Sequence, residues 1–387
     1  MAPDRIEILF IIDYFHRTGG TEKHLAQLIS GLPSGLFRCS LVTFDRGSNP
    51  LLDELRARGV PIVDLPVAYE YVPNAAVQAL RLARLIRRNR YDIVQTFHQK
   101  ADSYGALIAR LSGARRLISS KRDTGQLRKR HHLLVNRCLN RLFDAFIAVA
   151  DSVRVAVVAN DHLPPARVTT IHNGVDSGRF AVPTPAQRMQ ARSRLGLLRE
   201  DFVVGMVAGF RPEKNHDVFF AGLLQALPQI PTLKVIAVGD GPLGAQFRER
   251  VAGSALAART LFAGDVADVL PFLWAMDVGC LTPGSNEGLS NAVLEQMAVG
   301  LPMIVSNVGG NAEAVIDGQN GRVIPPGDAA ALCGALLELH GDRARAASMG
   351  RASRTRAVEL FSLQRMCAEH ARLYLRLCGR AAAEALP

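Results

Sequence analysis

Residues Asp277–Ala298 read DVGCLTPGSNEGLSNAVLEQMA. The opening, Asp277–Thr282, has the short apolar run of a buried strand, and Pro283–Ser290 is a polar loop bearing glycine. From Asn291 onward the apolar residues Ala292, Val293, Met297 and Ala298 recur at roughly helical spacing. The segment predicts a strand, a loop at its carboxyl end, and a helix whose amino terminus faces that loop. Open α/β sheets bind ligands at such strand ends, and a helix amino terminus attracts anions through N–H groups unpartnered within the helix. Glu287 lies on the loop and Glu295 in the first turns of the helix. Two carboxylates so placed can accept hydrogen bonds from two hydroxyl-rich parts of one anionic ligand. A nucleotide sugar has this form, with phosphates for the helix end and a hydroxylated ring on either side. The spacing of two glutamates alone is weak; their setting gives it weight.

Strand and helix alternate outward from this segment. Phe202–Ala208 opens its series, and further strands are predicted at Lys234–Val238, Thr260–Phe262, Val278–Leu281, Pro302–Val305 and Arg322–Ile324. A helical stretch follows from about Ala329 to Ala385, with a break near Gly341. An earlier series begins with the near-continuous apolar run Ile6–Ile12, the pattern of a buried parallel strand. A glycine loop to Gly20 and a helix over Thr21–Ser30 come next. Strands follow at Arg38–Phe44, Val60–Leu65, Asp92–Phe97, Arg116–Ser120, Ala145–Val149 and Val168–Ile171. A Pro/Gly-rich passage from Asn173 to Pro185 marks a boundary. Such alternation means α/β architecture with parallel sheets covered by helices on both faces. With 387 residues the chain exceeds one ordinary core.

Composition narrows the class. Apolar content of 48% with 33 glycines fits a globular protein. The six cysteines are scattered without a C-x-x-C pair, so they read as thiols of a reducing compartment rather than as disulfides or zinc ligands. The amino terminus lacks a signal-peptide core and no apolar run nears the ~20 residues of a spanning helix; a cytoplasmic location is expected. Residues 1–185 hold 26 Lys and Arg against 16 Asp and Glu, whereas residues 186–387 hold 20 against 19. Arg81, Arg84 and Arg88 recur along one predicted helix, and Arg128–His132 forms a second basic cluster. Such patches attract anionic head groups, so a peripheral position on the cytoplasmic membrane face is expected. Few aromatics accompany them and no nucleic-acid-reading module is present, so nucleic acid is not the expected partner.

Three more places carry candidate chemistry. Gly209-Phe-Arg-Pro-Glu-Lys-Asn215 follows a strand directly, setting Arg211 and Lys214 at a second strand's carboxyl end. Two cations there can neutralise a departing diphosphate. Gly19 and Gly20 lack Cβ atoms, so their backbone can approach a ligand closely. His98 ends the strand Asp92–Phe97.

These blocks, together with Ile171–Asp176, Val238-Gly-Asp-Gly-Pro242, Gly300–Val305, Gly309–Glu313 and Gly318–Asp328, stand in one order along nearly the whole chain. In that order they resemble the retaining glycosyltransferases of family four, the group with an E-x7-E motif. The resemblance implies a GT-B fold, two Rossmann-like doubly wound domains facing a central cleft. The expected domains are 1–180 on the acceptor side, 181–360 on the nucleotide-sugar side, and 361–387 as a helix crossing back to the first. It further implies metal-independent transfer, with anomeric retention, from a nucleoside-diphosphate-sugar donor to a lipid-linked or cell-surface saccharide. The expected catalytic residues are Arg211, Lys214, Glu287 and His98. Gly19, Gly20, Gly288, Leu289, Ser290, Asn291 and Glu295 are expected to hold the donor. No Asp-x-Asp pair is placed as a metal site, and no cofactor is expected beyond the sugar nucleotide as substrate. Many members of the family it resembles carry H-x-H where this chain has Gln95 and Phe97, with His98 displaced by one residue. A displacement of one normally reverses the face of a strand side chain, which a bend at the strand end can undo. The rival readings are a sugar-nucleotide epimerase of the same architecture and a degenerate, non-enzymatic anionic-lipid binder.

Overall fold

The computed structural model describes residues 5–16, 19–69, 73–125 and 138–381. The basic cluster Arg128–His132 lies outside them. The chain divides into two compact units, one comprising residues up to Gly174 together with those from Leu363 onward, the other Val175–Ser362.

The first unit is built on a seven-stranded sheet, entirely parallel, in the order β3-β2-β1-β4-β5-β6-β7. Its strands are β1 (Ile6–Ile12), β2 (Phe37–Thr43), β3 (Ile62–Asp64), β4 (Ile93–Phe97), β5 (Arg116–Lys121), β6 (Ala145–Ala148) and β7 (Val168–Thr170). The apolar run of β1 is buried almost throughout, as a central strand with helices on both faces requires. The sheet order reverses direction between β1 and β4, the kind of switch point at which such sheets open a crevice at their carboxyl ends. The helix Leu363–Leu377 belongs to this unit's core: Met366, Cys367, Ala371 and Tyr374 are buried with Ile6, Phe10 and Leu25. Gly31 permits that approach, since a Cβ on it would stand 2.5 Å from the Cys367 sulfur. Tyr374 also donates a 2.5 Å hydrogen bond to the Gln95 side chain inside the sheet.

The second unit has six parallel strands in the order β10-β9-β8-β11-β12-β13. They are β8 (Phe202–Val207), β9 (Leu233–Val238), β10 (Thr260–Gly264), β11 (Val278–Leu281), β12 (Met303–Ser306) and β13 (Gly321–Ile324). Two Rossmann-like parallel sheets are thus present, and each predicted strand is found within a residue or two of its expected ends. The carboxyl-terminal helical stretch differs from expectation. It breaks twice, into Ala329–Gly341, Arg343–Leu360 and Leu363–Leu377. The first break is capped by Asp342, whose side chain accepts from the Arg345 N–H. The second, at Phe361–Ser362, is held by Val175, whose N–H donates to the Phe361 carbonyl at 2.8 Å. That contact joins residues far apart in sequence, so no local helix-stop residue announces it.

Candidate active site

In the second unit, loops at the carboxyl ends of β8, β11 and β12 converge because backbone groups tie them together. After β8 a 3₁₀ turn, Pro212–Lys214, ends at Asn215, which adopts φ 51° and starts the helix His216–Ala226. Asparagine tolerates this left-handed conformation better than most residues. The Asn215 carbonyl accepts from the Thr282 hydroxyl at 3.3 Å, and the Gly284 N–H donates to the Glu213 carbonyl at 3.0 Å. The two loops are thereby fastened side by side. Lys214 Nζ lies 2.5 Å from Glu287 Oε2, with both side chains largely shielded. The loop after β12 clasps the same place: the Gly310 N–H donates to the Gly288 carbonyl at 2.6 Å. Gly309 has φ 59°, and a Cβ there would collide with the Glu287 carbonyl oxygen. A fourth loop, Val238–Pro242, braces the first, since the Phe210 N–H donates to the Asp240 carbonyl at 3.1 Å. A Cβ on Gly241 would stand 2.7 Å from the Phe210 carbonyl oxygen. Stacked on Phe210 at 4.1 Å is His216, whose pKa burial pushes down to about 4, so it packs as a neutral ring.

The structure therefore gathers Arg211, Lys214 and residues Glu287–Asn291 at one sheet edge. Arg211 is exposed; Gly288 and Leu289 are buried; Ser290 and Asn291 are half-buried. The helix Asn291–Ala298 starts beside them, and the hydroxyl of Ser290, its N-cap residue, makes no capping bond to the first turn. Glu295 is only 7% exposed, so it is not the solvated residue that a helical glutamate usually is.

Gly19, Gly20 and His98 belong to the first unit. Gly19 caps the helix Gly20–Gly31, and the buried carboxylate of Glu22 lies close against it. His98 has φ 74°, a bend at the strand end. Its ring stacks on Tyr14 with centroids 4.7 Å apart, and burial pushes its pKa down to about 4. Gln95 is committed to Tyr374 and to Ser120 at 2.8 Å, and Phe97 to the core beside Phe10.

Sequence reasoning missed several groups around His98. Asp13 accepts the N–H groups of Lys100 at 2.9 Å and Ala101 at 2.6 Å, yet burial still pushes its pKa up to about 7. His16 Nδ1 lies 2.6 Å from Asp45 Oδ2. A cavity of about 500 Å³, lined by Asp13, Tyr14, Asp45, Val67 and Lys100, opens there at the carboxyl ends of β1, β2 and β4. One signal was present in the sequence: the polar residues Asp13 and Tyr14 follow directly on the apolar run of β1.

Comparison with known proteins converges on one family. Residues 201–342 match the model "Glycosyl transferases group 1", and residues 18–179 match "Glycosyltransferase Family 4". The GDP-mannose-dependent alpha-(1-6)-phosphatidylinositol monomannoside mannosyltransferase of Mycobacterium tuberculosis is 30% identical over 367 residues, covering 90% of this chain and 92% of that protein. The UDP-Gal:alpha-D-GlcNAc-diphosphoundecaprenol alpha-1,3-galactosyltransferase of Escherichia coli is 28% identical over 340 residues, covering 84% and 85%. Among solved structures, Anabaena Alr3699/HepE in complex with UDP superposes with a TM-score of 0.84 at 22% identity, covering 95% of this chain and 99% of that one. The glycosyltransferase WaaG superposes with a TM-score of 0.74 at 15% identity, covering 95% and 99%. The chain belongs to glycosyltransferase family 4 and has the GT-B type of fold.

Proposed function

We propose that this protein transfers a sugar, with retention of anomeric configuration, from a nucleoside-diphosphate-sugar to a hydroxyl of a lipid-linked or cell-surface saccharide. The observation that carries the reading is the 2.5 Å pairing of Lys214 with Glu287 beside the amino terminus of the helix Asn291–Ala298. It brings a cation, a hydroxyl acceptor and a run of N–H donors to one strand end, the set that a sugar diphosphate requires. The relatives named for UDP-galactose and GDP-mannose, and for undecaprenol- and inositol-lipid acceptors, support the donor and acceptor classes.

Each residue then has a role. Arg211 and Lys214 take the charge that builds on the departing diphosphate, in place of a divalent ion. Glu287 accepts from the sugar's hydroxyls, and the N–H groups of Gly288–Asn291 face the phosphates. Glu295 holds the ribose hydroxyls. Gly19 and Gly20 approach the diphosphate through their backbone, and His98, neutral at pH 7, binds on the acceptor side. The acceptor hydroxyl attacks C1 from the face that the diphosphate leaves. The new C–O bond forms as the C1–phosphate bond breaks, and the departing phosphate oxygen takes the hydroxyl proton. No protein nucleophile is assigned.

The membrane part of the reading rests on the helix Pro73–Asn89. Ala75, Gln78, Leu82 and Ile86 face the core, while Arg81, Arg84, Arg87 and Arg88 are exposed with Val77 and Leu80. Cations mixed with apolar side chains on an outward face suit an anionic bilayer surface. No helix among the described residues is long and apolar enough to cross a membrane.

A panel of nucleoside diphosphates and their sugars, screened by thermal shift, tests the core of the proposal. One of them should raise the melting point of the wild-type protein. Lys214→Ala and Arg211→Ala should each depress turnover with the matching sugar nucleotide by roughly 10²–10³-fold while the fold persists. Wild-type turnover in both variants would remove the leaving-group assignment.

A further inference from the structure

The opposite end of the second sheet carries another charged hollow. A cavity of about 630 Å³ lies where β8, β11 and β12 begin, at Phe202, Asp277 and Pro302, away from the strand ends that carry Lys214 and Glu287. That size is within the range of small-molecule sites. The helix Arg343–Leu360 borders it, and Arg343, Ala347, Arg351 and Arg354 recur along one helical face.

The charges at this end do not balance. Asp277 is approached by Arg188 at 2.7 Å, Arg192 at 2.6 Å and Arg343 at 3.8 Å. Three guanidinium groups thus share one carboxylate. Burial pushes the Arg188 pKa down; Asp277 opposes this, and the neighbouring Arg192 and Arg343 add to it. Two of the arginines are occupied by the fold. Arg192 donates to the carbonyls of Ala275, Leu198, Arg199 and Asp201. Arg354 donates to those of Phe180, Ala298 and Ser177. Arg343 sits over the Phe202 ring, its guanidinium carbon 4.4 Å from the centroid, and its one carboxylate neighbour among the described residues, Asp277, is 3.8 Å away. Arg351 lines the cavity and is exposed, and its side chain makes no hydrogen bond or ion pair among the described residues. Crowding like charges around a half-shielded cavity is unfavourable unless an anion joins them.

We propose that this hollow is a second anion site, taking a phosphate-bearing ligand, with Arg343 and Arg351 touching the phosphate and Arg188 assisting. The guanidinium fork matches phosphate oxygens in pairs, and the site holds more cations than its one carboxylate neutralises. The ligand is either a free phosphorylated compound or the phosphate of a lipid head group. This site is separate from the residues assigned to the sugar donor and does not depend on that assignment.

Titration calorimetry with inorganic pyrophosphate at low salt tests it, using Arg211→Ala/Lys214→Ala protein so that the two phosphate-recognising cations of the donor site are silent. Pyrophosphate should still bind, and adding Arg343→Gln with Arg351→Gln should weaken it at least about tenfold, as loss of charge-assisted hydrogen bonds does. Arg351→Gln alone, an exposed change, should keep the parental melting point and still lower the affinity. Absence of binding at millimolar pyrophosphate, or an affinity that the glutamines leave unmoved, would overturn the proposal. Sedimentation with phosphatidylglycerol vesicles separates the two sources. Capture that falls with Arg343→Gln and Arg351→Gln, yet survives Arg81→Gln, Arg84→Gln and Arg88→Gln, assigns the head group. The reverse pattern assigns a free phosphorylated ligand here and leaves the vesicle surface to the helix Pro73–Asn89.

Discussion

Lys214 and Glu287 stand 73 residues apart in sequence, yet their charged atoms are 2.5 Å apart. Neither side chain is more than about one-fifth exposed, so removing one partner leaves the other as a poorly solvated ion. We expect Lys214→Met to lower unfolding stability by roughly 2–4 kcal/mol, and Glu287→Gln by less, because glutamine keeps an acceptor for the lysine. The double variant should be less destabilised than the sum of the singles, with a coupling of about 1–3 kcal/mol. Urea denaturation of the four proteins measures this; additive effects would mean that the ion pair contributes nothing. His98 shows how one residue can be legible in type and illegible in placement. A histidine ending a strand was visible, but its φ of 74° and the stacking partner Tyr14 were not. Both come from contacts made across the sheet edge.

At the scale of the element, strand-end loops hold their shape through backbone contacts with each other rather than through their own turn chemistry. Gly309 is the clearest case. Its positive φ and the closeness of the Glu287 carbonyl leave no room for a side chain. Gly327 offers a control, with φ 83° and no atom within 4 Å of an added Cβ. Gly327→Ala should cost only the left-handed backbone penalty, about 1–2 kcal/mol. Gly309→Ala should cost more than that and also lower turnover, because the Glu287–Gly288 backbone must move. Melting curves and initial rates of the two variants decide the matter; equal losses of stability with no loss of rate in Gly309→Ala would refute it. The π-helical turn Ala101–Gly105 after β4 is a similar feature. Asp13 accepts the N–H groups of Lys100 and Ala101 at its start, and nothing in the local sequence forecast it.

Across the whole molecule, buried histidines set a pH dependence. His370, His216 and His98 have their pKa values pushed down to about 4, chiefly by burial, and His24 is pushed well below its usual value for the same reason. Unfolded histidine takes up a proton near pH 6.5, whereas folded His370, His216 and His98 do so only near 4, and His24 is shifted in the same direction. Between those limits the unfolded state binds more protons, so stability rises with pH and is lost on acidification. The loss should approach ~1.4 kcal/mol per pH unit for each buried histidine. Denaturant midpoints measured from pH 7 to pH 4.5 should fall steeply, and His370→Gln should flatten that fall. A midpoint independent of pH over that range would contradict the burial of these rings in the folded protein.

The alternating apolar runs were enough to establish the α/β class and the places of the thirteen strands among the described residues, because a strand buried on both faces must be apolar along its length. The same pattern put Arg211, Lys214 and Glu287 at strand ends, since polar loops follow such strands directly. Other features needed the third dimension: the pairing of Lys214 with Glu287, the burial of Glu295, the docking of the helix Leu363–Leu377 beside Gly31, and the arginines around Asp277. Each depends on residues far apart in the chain whose proximity follows from the order in which strands lie side by side. Periodicity records which face a side chain takes, but not which neighbour it meets there.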